Sequence, residues 1–201
     1  IKGRKKFKKV RFSVMDDRIQ AGTYLMAGAL PGSQIEINFS HPEVLESVIN
    51  KLQSCGASIS IEGKNIKIKA PENLQSIDIT TAPYPGFPTD LQAPFTVLMA
   101  LAKGVSVINE DIFENRFMHC CELLRMGAKI EIKGGVAIIT GSNKLTGAPV
   151  EAADLRGGGA LVLAGLAAEG RTEVYEISHI LRGYDNIEEK FRNLGADIWT
   201  E

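Results

Sequence analysis

The hydrophobic pattern of this chain repeats three times along its 201 residues. Each repeat opens with a strongly apolar segment rich in small residues, at 21–30, 94–102 and 159–167. A segment that is apolar nearly all round predicts a buried helix. Each segment is followed by Gly or Pro-Gly and a short strand pattern, at 33–38, 104–109 and 170–175. Every repeat is therefore expected to begin with a buried helix and a strand.

The second half of each repeat is an amphipathic helix that ends before a Gly-Ala pair. These helical patterns cover 42–54, 116–125 and 184–193, and the glycines are Gly56, Gly127 and Gly195, 71 and 68 residues apart. Glycine after a helix accepts the left-handed backbone that terminates it. The alternation that follows predicts half-buried strands at 58–62, 129–133 and 197–199. Second hairpin strands are expected at 64–69 and 135–140, whereas the third repeat reaches Glu201 before its counterpart, which suggests a truncated edge.

These elements predict an α/β fold built from three pseudo-symmetric units, with buried helices at the centre and sheets outside. The units cover roughly 12–75, 76–150 and 151–201. A composition of 44% hydrophobic and 23% charged residues suits a globular protein with a full core. No apolar run approaches the ~20 residues that a membrane span needs. The cysteines Cys55, Cys120 and Cys121 lack metal-ligand spacing, so we expect reduced, packed thiols in a cytoplasmic protein.

Charge is concentrated at the start of the chain. Residues 1–11 contain seven basic side chains and no acid, although the net charge of the whole chain is −1. A basic arm can bind nucleic acid or an anionic surface. Apolar residues are interleaved with these charges, partly in alternation, at Phe7, Val10, Phe12 and Val14. This alternation favours a solvated edge strand over a nucleic-acid-binding arm.

The segment 84–92 is a shaped loop that presents one carboxylate, Asp90, ahead of an apolar helix that begins near Pro94. The loop is stiffened and turned by Gly86 and by three prolines, Pro83 just before it and Pro85 and Pro88 within it, because proline cannot continue a helix or donate a backbone hydrogen bond. An acid at a helix start is often only a cap. Charged residues at equivalent junctions of the other units favour a functional role for Asp90.

Arginines stand at three of these junctions: Arg116, Arg156 and Arg182. A cation at a helix N-terminus is unfavourable unless it faces an anion, and the planar guanidinium suits carboxylate or phosphate. Structural bridges to Asp154, Glu114 or Asp185 are the alternative. For Arg156 and Arg182 together, at equivalent positions, we favour a shared anionic ligand.

We consider glycines and histidines near these arginines as further candidates for a ligand site. Glycines 157–159 follow Arg156 and would let a backbone approach a ligand, but no Gly-Lys-Ser/Thr of a P-loop follows them. His119 is expected to be packed or capping, and His179 is the histidine most suited to line a pocket. No Ser/His/Asp or Cys/His arrangement and no metal cluster can be assigned.

Six motifs together resemble the enolpyruvyl transferase family. They are Asp17-Arg-Ile-Gln-Ala-Gly-Thr, Pro85-Gly-Phe-Pro-Thr-Asp90, Ile112-Phe-Glu-Asn-Arg-Phe-Met-His119, Asp154-Leu-Arg156, Leu161-Val-Leu-Ala-Gly and Arg182-Gly-Tyr. They extend over nearly the whole chain. The chain is most similar to the branch that acts on UDP-N-acetylglucosamine in peptidoglycan synthesis. The branch that acts on shikimate 3-phosphate is not expected to carry the motif at 112–119.

The resemblance implies an inverse α/β barrel of three βαβαββ units. It also implies that residues 1–201 form one domain, the C-terminal one, of a two-domain cytoplasmic enzyme whose partner domain is absent from this chain. Further arginines, a lysine and a loop with a cysteine or aspartate belong to that other domain, so residues 1–201 alone are expected to be inactive.

The resemblance also implies the chemistry. The sugar 3-hydroxyl adds to C2 of phosphoenolpyruvate, and the resulting tetrahedral intermediate expels phosphate. Asp90 accepts the hydroxyl proton and holds the sugar, and Ile112 contacts the nucleotide-sugar through its backbone. Arg156 and Arg182 neutralise phosphoenolpyruvate, with Arg116 in support. No metal or organic cofactor, nucleic acid or membrane is required.

Two alternatives remain open from the sequence. One is a sibling enolpyruvyl transferase that uses shikimate 3-phosphate. The other, motivated by the basic arm, is a non-catalytic module that binds nucleic acid.

Overall fold

The computed structural model describes residues 2, 3 and 6–201 as an α/β arrangement in which helices and strands alternate. The helices are α1 Arg18–Gly28, α2 Glu46–Ser54, α3 Gln92–Leu101, α4 Met118–Arg125, α5 Leu155–Ala167, α6 Ser178–Leu181 and α7 Ile187–Asn193. Single 3₁₀ turns precede α2 and α3, at Pro42–Leu45 and Thr89–Leu91.

The strands of the described residues form three separate sheets. They are β1 Gln34–Asn38, β2 Ser58–Glu62, β3 Asn65–Lys69, β4 Ile79–Thr80, β5 Val105–Asn109, β6 Lys129–Lys133, β7 Val136–Thr140, β8 Pro149–Glu151 and β9 Glu173–Tyr175. The first sheet has the antiparallel order β1-β3-β2. The second has the order β4-β5-β7-β6, with β4 parallel to β5 and the other pairs antiparallel. The third is the parallel pair β8-β9.

The first helix of each repeat lies in the core, as the apolar pattern predicts. All ten residues of α3 are buried, and α3 packs against both α1 and α5. Small residues let these helices approach their neighbours: a Cβ at Gly22 of α1 would lie 2.4 Å from Leu91. The prediction of central buried helices is confirmed for these three elements.

The repeated glycines terminate the second helices. Gly56, Gly127 and Gly195 have φ values of 99°, 88° and 97°, the left-handed backbone expected after a helix. Two of these helices begin later than predicted, α4 at Met118 and α7 at Ile187. Left-handed residues shortly before them, Asn115 and Asn186, interrupt a continuous helix.

The third repeat contains no counterpart of the hairpins β2-β3 and β6-β7 among the described residues. The predicted strand at 197–199 is wrong, because these residues have no neighbouring strand with which to pair. An open groove of about 1270 Å³ lies instead between β9, α7 and the segment 196–201. The third repeat accordingly contributes only the two-stranded sheet β8-β9 among the described residues.

The prediction of an N-terminal edge strand is also wrong for the described residues. Residues 6–17 adopt no regular structure, and Phe7 and Phe12 are 88% and 84% exposed. An isolated alternating segment stays unpaired unless a strand edge accepts it, and the first sheet contains only β1, β3 and β2. Ile1, Arg4 and Lys5 of the basic arm lie outside the described residues.

Candidate active site

Asp90 sits in the 3₁₀ turn Thr89–Leu91, directly before α3. Pro88 precedes the turn in an extended conformation, and the Leu91 amide closes it by donating to the Pro88 carbonyl at 3.0 Å. The Asp90 side chain does not cap the helix. It remains 35% exposed and is bound by side chains from other parts of the chain.

Two guanidinium groups hold the Asp90 carboxylate. Arg116 Nη2 donates to Asp90 Oδ1 at 2.5 Å, and Arg156 Nη2 donates to Oδ2 at 3.0 Å. Each carboxylate oxygen retains a further lone pair, for which no hydrogen-bond donor is found within residues 2, 3 and 6–201. The cluster carries one formal positive charge in excess, so it can still attract an anion.

Burial alone would lower the pKa of the Arg156 guanidinium. Its neighbours, the Tyr184 hydroxyl and the Asp90 carboxylate, outweigh burial and raise that pKa above its ordinary value. The guanidinium carbon also lies 5.8 Å from the centre of the Tyr184 ring. Arg156 is therefore a fixed positive charge at the start of α5.

The local sequence places both arginines. Asp154 caps α5, because its Oδ1 accepts from the backbone N–H groups of Arg156 and Gly157, each at 2.8 Å. This leaves the Arg156 side chain free to pair with Asp90 rather than with Asp154. Arg116 follows the left-handed Asn115, and its guanidinium lies 5.4 Å from the Phe113 ring centre.

The three glycines after Arg156 allow close packing inside the protein, which corrects the expectation that they expose backbone to a ligand. A Cβ at position 157 would lie 3.2 Å from His119, and one at 158 would lie 2.5 Å from Ile180. A Cβ at 159 would lie 2.7 Å from the Tyr184 ring. All three glycines are buried. They let α5 pack against α4, α6 and Tyr184.

Arg182 is not part of the Asp90 cluster. It is exposed at the end of α6, and it forms no ion pair with any residue in the described part of the chain. His179 is half-buried and does not line the groove beside β9, unlike its neighbours Ile177 and Ile180. The structure thus unites Asp90, Arg116 and Arg156 but leaves Arg182 outside their contacts.

Ile112 lies in the loop between β5 and α4. Its backbone N–H donates to Glu110 Oε1 at 3.0 Å, and no backbone donor to its carbonyl is found within residues 2, 3 and 6–201. Glu110 is a buried acid that the motif-based reasoning did not single out. The period-2 pattern of β5 could have found it, since Ser106, Ile108 and Glu110 fall on one buried face.

Most other candidate groups are packed as expected, but the expectation is wrong for Cys121, which is exposed. Burial lowers the pKa of His119 to about 4, only partly offset by Asp154. Burial raises the pKa of the thiols of Cys55 and Cys120 to about 12, so both are poor nucleophiles. Residues 2, 3 and 6–201 contain no metal-binding group of His, Cys, Asp and Glu. Over the same residues, no helix has the length and apolar character of a membrane span.

Comparison with known protein families shows which family the chain belongs to. The family model described as EPSP synthase (3-phosphoshikimate 1-carboxyvinyltransferase) matches residues 1–191. The chain belongs to the enolpyruvyl transferase family. The members of this family are enzymes. The match confirms the resemblance drawn from the six motifs.

Two relatives of this enolpyruvyl transferase chain share its sequence closely. It is 52% identical to UDP-N-acetylglucosamine 1-carboxyvinyltransferase 1 of Caldanaerobacter subterraneus subsp. tengcongensis over all 201 residues, or 48% of that protein. It is 50% identical to UDP-N-acetylglucosamine 1-carboxyvinyltransferase of Geobacter metallireducens, over 98% of this chain and 47% of the relative. The chain spans about half the length of the curated relatives it matches.

Solved structures confirm the α/β fold of the family. The enolpyruvyl transferase NikO from Streptomyces tendae matches with a TM-score of 0.84 at 27% identity, over 92% of this chain and 44% of that one. EPSP synthase from Acinetobacter baumannii matches with a TM-score of 0.68 at 23% identity, over 94% of this chain and 45% of that one. The second match supports the fold alone.

Proposed function

We propose that this chain is one domain of an enzyme that transfers the enolpyruvyl group of phosphoenolpyruvate to the 3-hydroxyl of UDP-N-acetylglucosamine. The observation that carries the proposal is the Asp90 carboxylate held between Arg116 and Arg156 at 2.5 and 3.0 Å. The relatives that share about half of their length with this chain are named for that reaction. Peptidoglycan synthesis in the cytoplasm is the corresponding role.

Asp90 acts as the general base of the addition step. Its free lone pairs accept the proton of the sugar 3-hydroxyl while the oxygen bonds to C2 of phosphoenolpyruvate. The methylene carbon takes a proton from an acid outside residues 1–201, which gives the tetrahedral intermediate. Loss of a proton from that carbon and of phosphate from C2 then restores the double bond. No cofactor enters this sequence.

Arg156 serves both the base and the anion. A guanidinium has five N–H donors, and the bond to Asp90 uses only one of them. The remaining donors can bind the phosphate or carboxylate of phosphoenolpyruvate while Asp90 stays in place. Arg182, which is exposed, contributes the second positive charge when substrate binds. Arg116 supports Asp90, and the backbone of Ile112 contacts the nucleotide-sugar.

The domain organisation is part of the same proposal. Residues 1–201 form one domain with repeats at roughly 12–75, 76–150 and 151–201, arranged as an inverse α/β barrel. Three buried helices and three outer sheets are the elements from which such a barrel is built. A second domain of the same enzyme completes the substrate cleft, in keeping with the coverage of the relatives.

The test is a substrate panel with the complete gene product. Phosphate release is measured with phosphoenolpyruvate and either UDP-N-acetylglucosamine or shikimate 3-phosphate, and product is identified by mass. The proposal requires turnover with the nucleotide-sugar. Turnover with shikimate 3-phosphate alone would favour the sibling branch, after which the matching family model is named. Binding of nucleic acid with a steep salt dependence, without turnover, would reject both.

A further inference from the structure

Glu110 is a buried carboxylate directly after β5. Its residue is 6% exposed, and no ion pair is found for it within residues 2, 3 and 6–201. A buried carboxylate is unfavourable unless hydrogen-bond donors surround it. Glu110 therefore needs a specific set of donors, and their identity shows what the residue positions.

Four donors meet the two oxygens of Glu110. Oε1 accepts from the Thr81 hydroxyl at 2.9 Å and from the backbone N–H groups of Ile112 and Phe113 at 3.0 and 3.2 Å. Oε2 accepts from the Thr89 hydroxyl at 2.9 Å. The two oxygens thus bind different loops: one the loop of Ile112, the other the turn that carries Asp90.

The backbone around Glu110 is itself fixed. Its N–H donates to the Gly135 carbonyl at 2.8 Å, at the end of the β5-β7 ladder. Thr81 accepts from the Asp111 N–H at 3.0 Å, so the start of the Ile112 loop is bound from two sides. The carboxylate consequently connects the second sheet to both loops through hydrogen bonds.

We propose that Glu110 is a positioning residue that sets the distance between Asp90 and the Ile112 loop, and thereby aligns the base with the nucleotide-sugar. The inference rests on the proposed function, because it takes the reaction at Asp90 and the contact at Ile112 as given. Misplacement of a catalytic group by about 1 Å costs about 100-fold in rate. Glu110 touches no reacting atom and acts through the residues that do.

Four variants test the two sides of this bridge in the complete gene product. Thr89→Val removes only the bond to the Asp90 turn, so kcat falls about 10- to 100-fold and KM for the nucleotide-sugar changes little. Thr81→Val loosens the Ile112 loop, so KM for the nucleotide-sugar rises more than kcat falls. Glu110→Gln retains an acceptor for the Ile112 loop and can donate to the Thr89 oxygen, so it keeps most of the activity that Glu110→Ala loses.

Thr80→Val is the matched control. Thr80 neighbours Thr81, but its exposed hydroxyl accepts from Asn109 Nδ2 at 3.2 Å on the opposite face of the strand. Its kcat and KM should equal those of the parent. Melting temperatures of all variants identify the range in which each is folded, and kinetics are compared within that range.

The outcomes are distinguishable. A parent enzyme without turnover on phosphoenolpyruvate and UDP-N-acetylglucosamine contradicts the proposed function. An active parent whose Thr89→Val and Thr81→Val variants match Thr80→Val overturns the role of Glu110. Equal loss of kcat in both variants, without a larger rise in KM for the nucleotide-sugar in Thr81→Val, also overturns it. The threonine variants decide the question even when Glu110→Ala does not fold.

Discussion

Two charged regions of the molecule differ in how completely their groups are paired. One is the junction of repeats two and three, around Asp90 and Glu110, and the other is the outer end of repeat three, around Arg182. At the junction, Asp90 binds two guanidinium groups and Glu110 binds four donors. At the outer end, Arg182 is exposed without an ion pair among the described residues, and an open groove lies beside β9. The first region is organised before substrate arrives, whereas the charge of Arg182 is free to be neutralised by a ligand.

Asp90→Asn should have the largest effect, because it removes the base and retains its shape. We expect turnover to fall about 10²- to 10⁴-fold, the usual contribution of general base catalysis. Stopped-flow or coupled assay of phosphate release measures the loss. The melting temperature and binding of the nucleotide-sugar should stay close to those of the parent. A variant with near-normal turnover would remove Asp90 from the chemistry.

Substitutions of Arg156 and Arg182 should affect the kinetics differently, because the two arginines lie in different regions. Arg156→Ala should weaken the use of phosphoenolpyruvate about 100-fold and also lower kcat, because it removes an anion ligand and one support of Asp90. Arg182→Ala should raise only KM for phosphoenolpyruvate, by about tenfold, because Arg182 contacts neither Asp90 nor Arg116. Steady-state kinetics with each substrate varied in turn measures both. Equal losses for phosphoenolpyruvate and nucleotide-sugar in Arg156→Ala would reject its assignment.

Gly159→Ala tests whether the triple glycine serves packing. The added Cβ would lie 2.7 Å from the Tyr184 ring, a rigid neighbour that is 1% exposed. We expect a loss of stability of about 3 kcal/mol, the upper end of typical overpacking. Gly165→Ala is the control, because its Cβ would meet Thr172 at 3.2 Å and alanine favours the helix. Equal urea midpoints for the two variants would contradict the packing role.

Acid should lower the free energy of unfolding through the titration of His119. Its pKa is lowered to about 4 in the folded protein, chiefly by burial, whereas an unfolded histidine titrates near 6.5. The unfolded state therefore binds the proton first, and stability is complete above about pH 6.5 and falls as the pH decreases towards 4. Between pH 7 and 5, the titration of His119 should lower the free energy of unfolding by about 2 kcal/mol. His119→Gln should remove that part of the pH dependence in urea unfolding, and an unchanged profile would contradict it.

Much of the fold could be predicted because the repeat leaves local signals. Glycines with positive φ after three helices, and apolar helices without a polar face, follow directly from backbone and burial preferences. Strands with a complete hairpin, such as 58–62 and 129–133, were predicted to the residue. The segments 6–17 and 197–199 show the limit, because alternation predicts a strand only where a partner strand exists.

The sequence singles out the residues of the Asp90 cluster as candidates but does not show their contacts. Asp90 and Arg156 were identified as charges at equivalent junctions, yet their direct pairing across 66 residues depends on how the repeats pack. Glu110 lies outside the six motifs. Its role can be inferred only from the period-2 pattern of β5 together with the burial of its side chain. The prediction that glycines 157–159 let the backbone approach a ligand is wrong. The sequence does not show that the side chains of His119, Ile180 and Tyr184 fill the space around them.

The role of Asp90 is tested most directly by a structure of the complete enzyme with UDP-N-acetylglucosamine and phosphoenolpyruvate, or with a stable analogue of the intermediate. We predict that an oxygen of Asp90 lies about 2.6–3.2 Å from the sugar 3-oxygen, with Arg156 in contact with both Asp90 and the phosphoenolpyruvate anion. A sugar hydroxyl bound elsewhere, with Asp90 still enclosed by its two arginines, would contradict it.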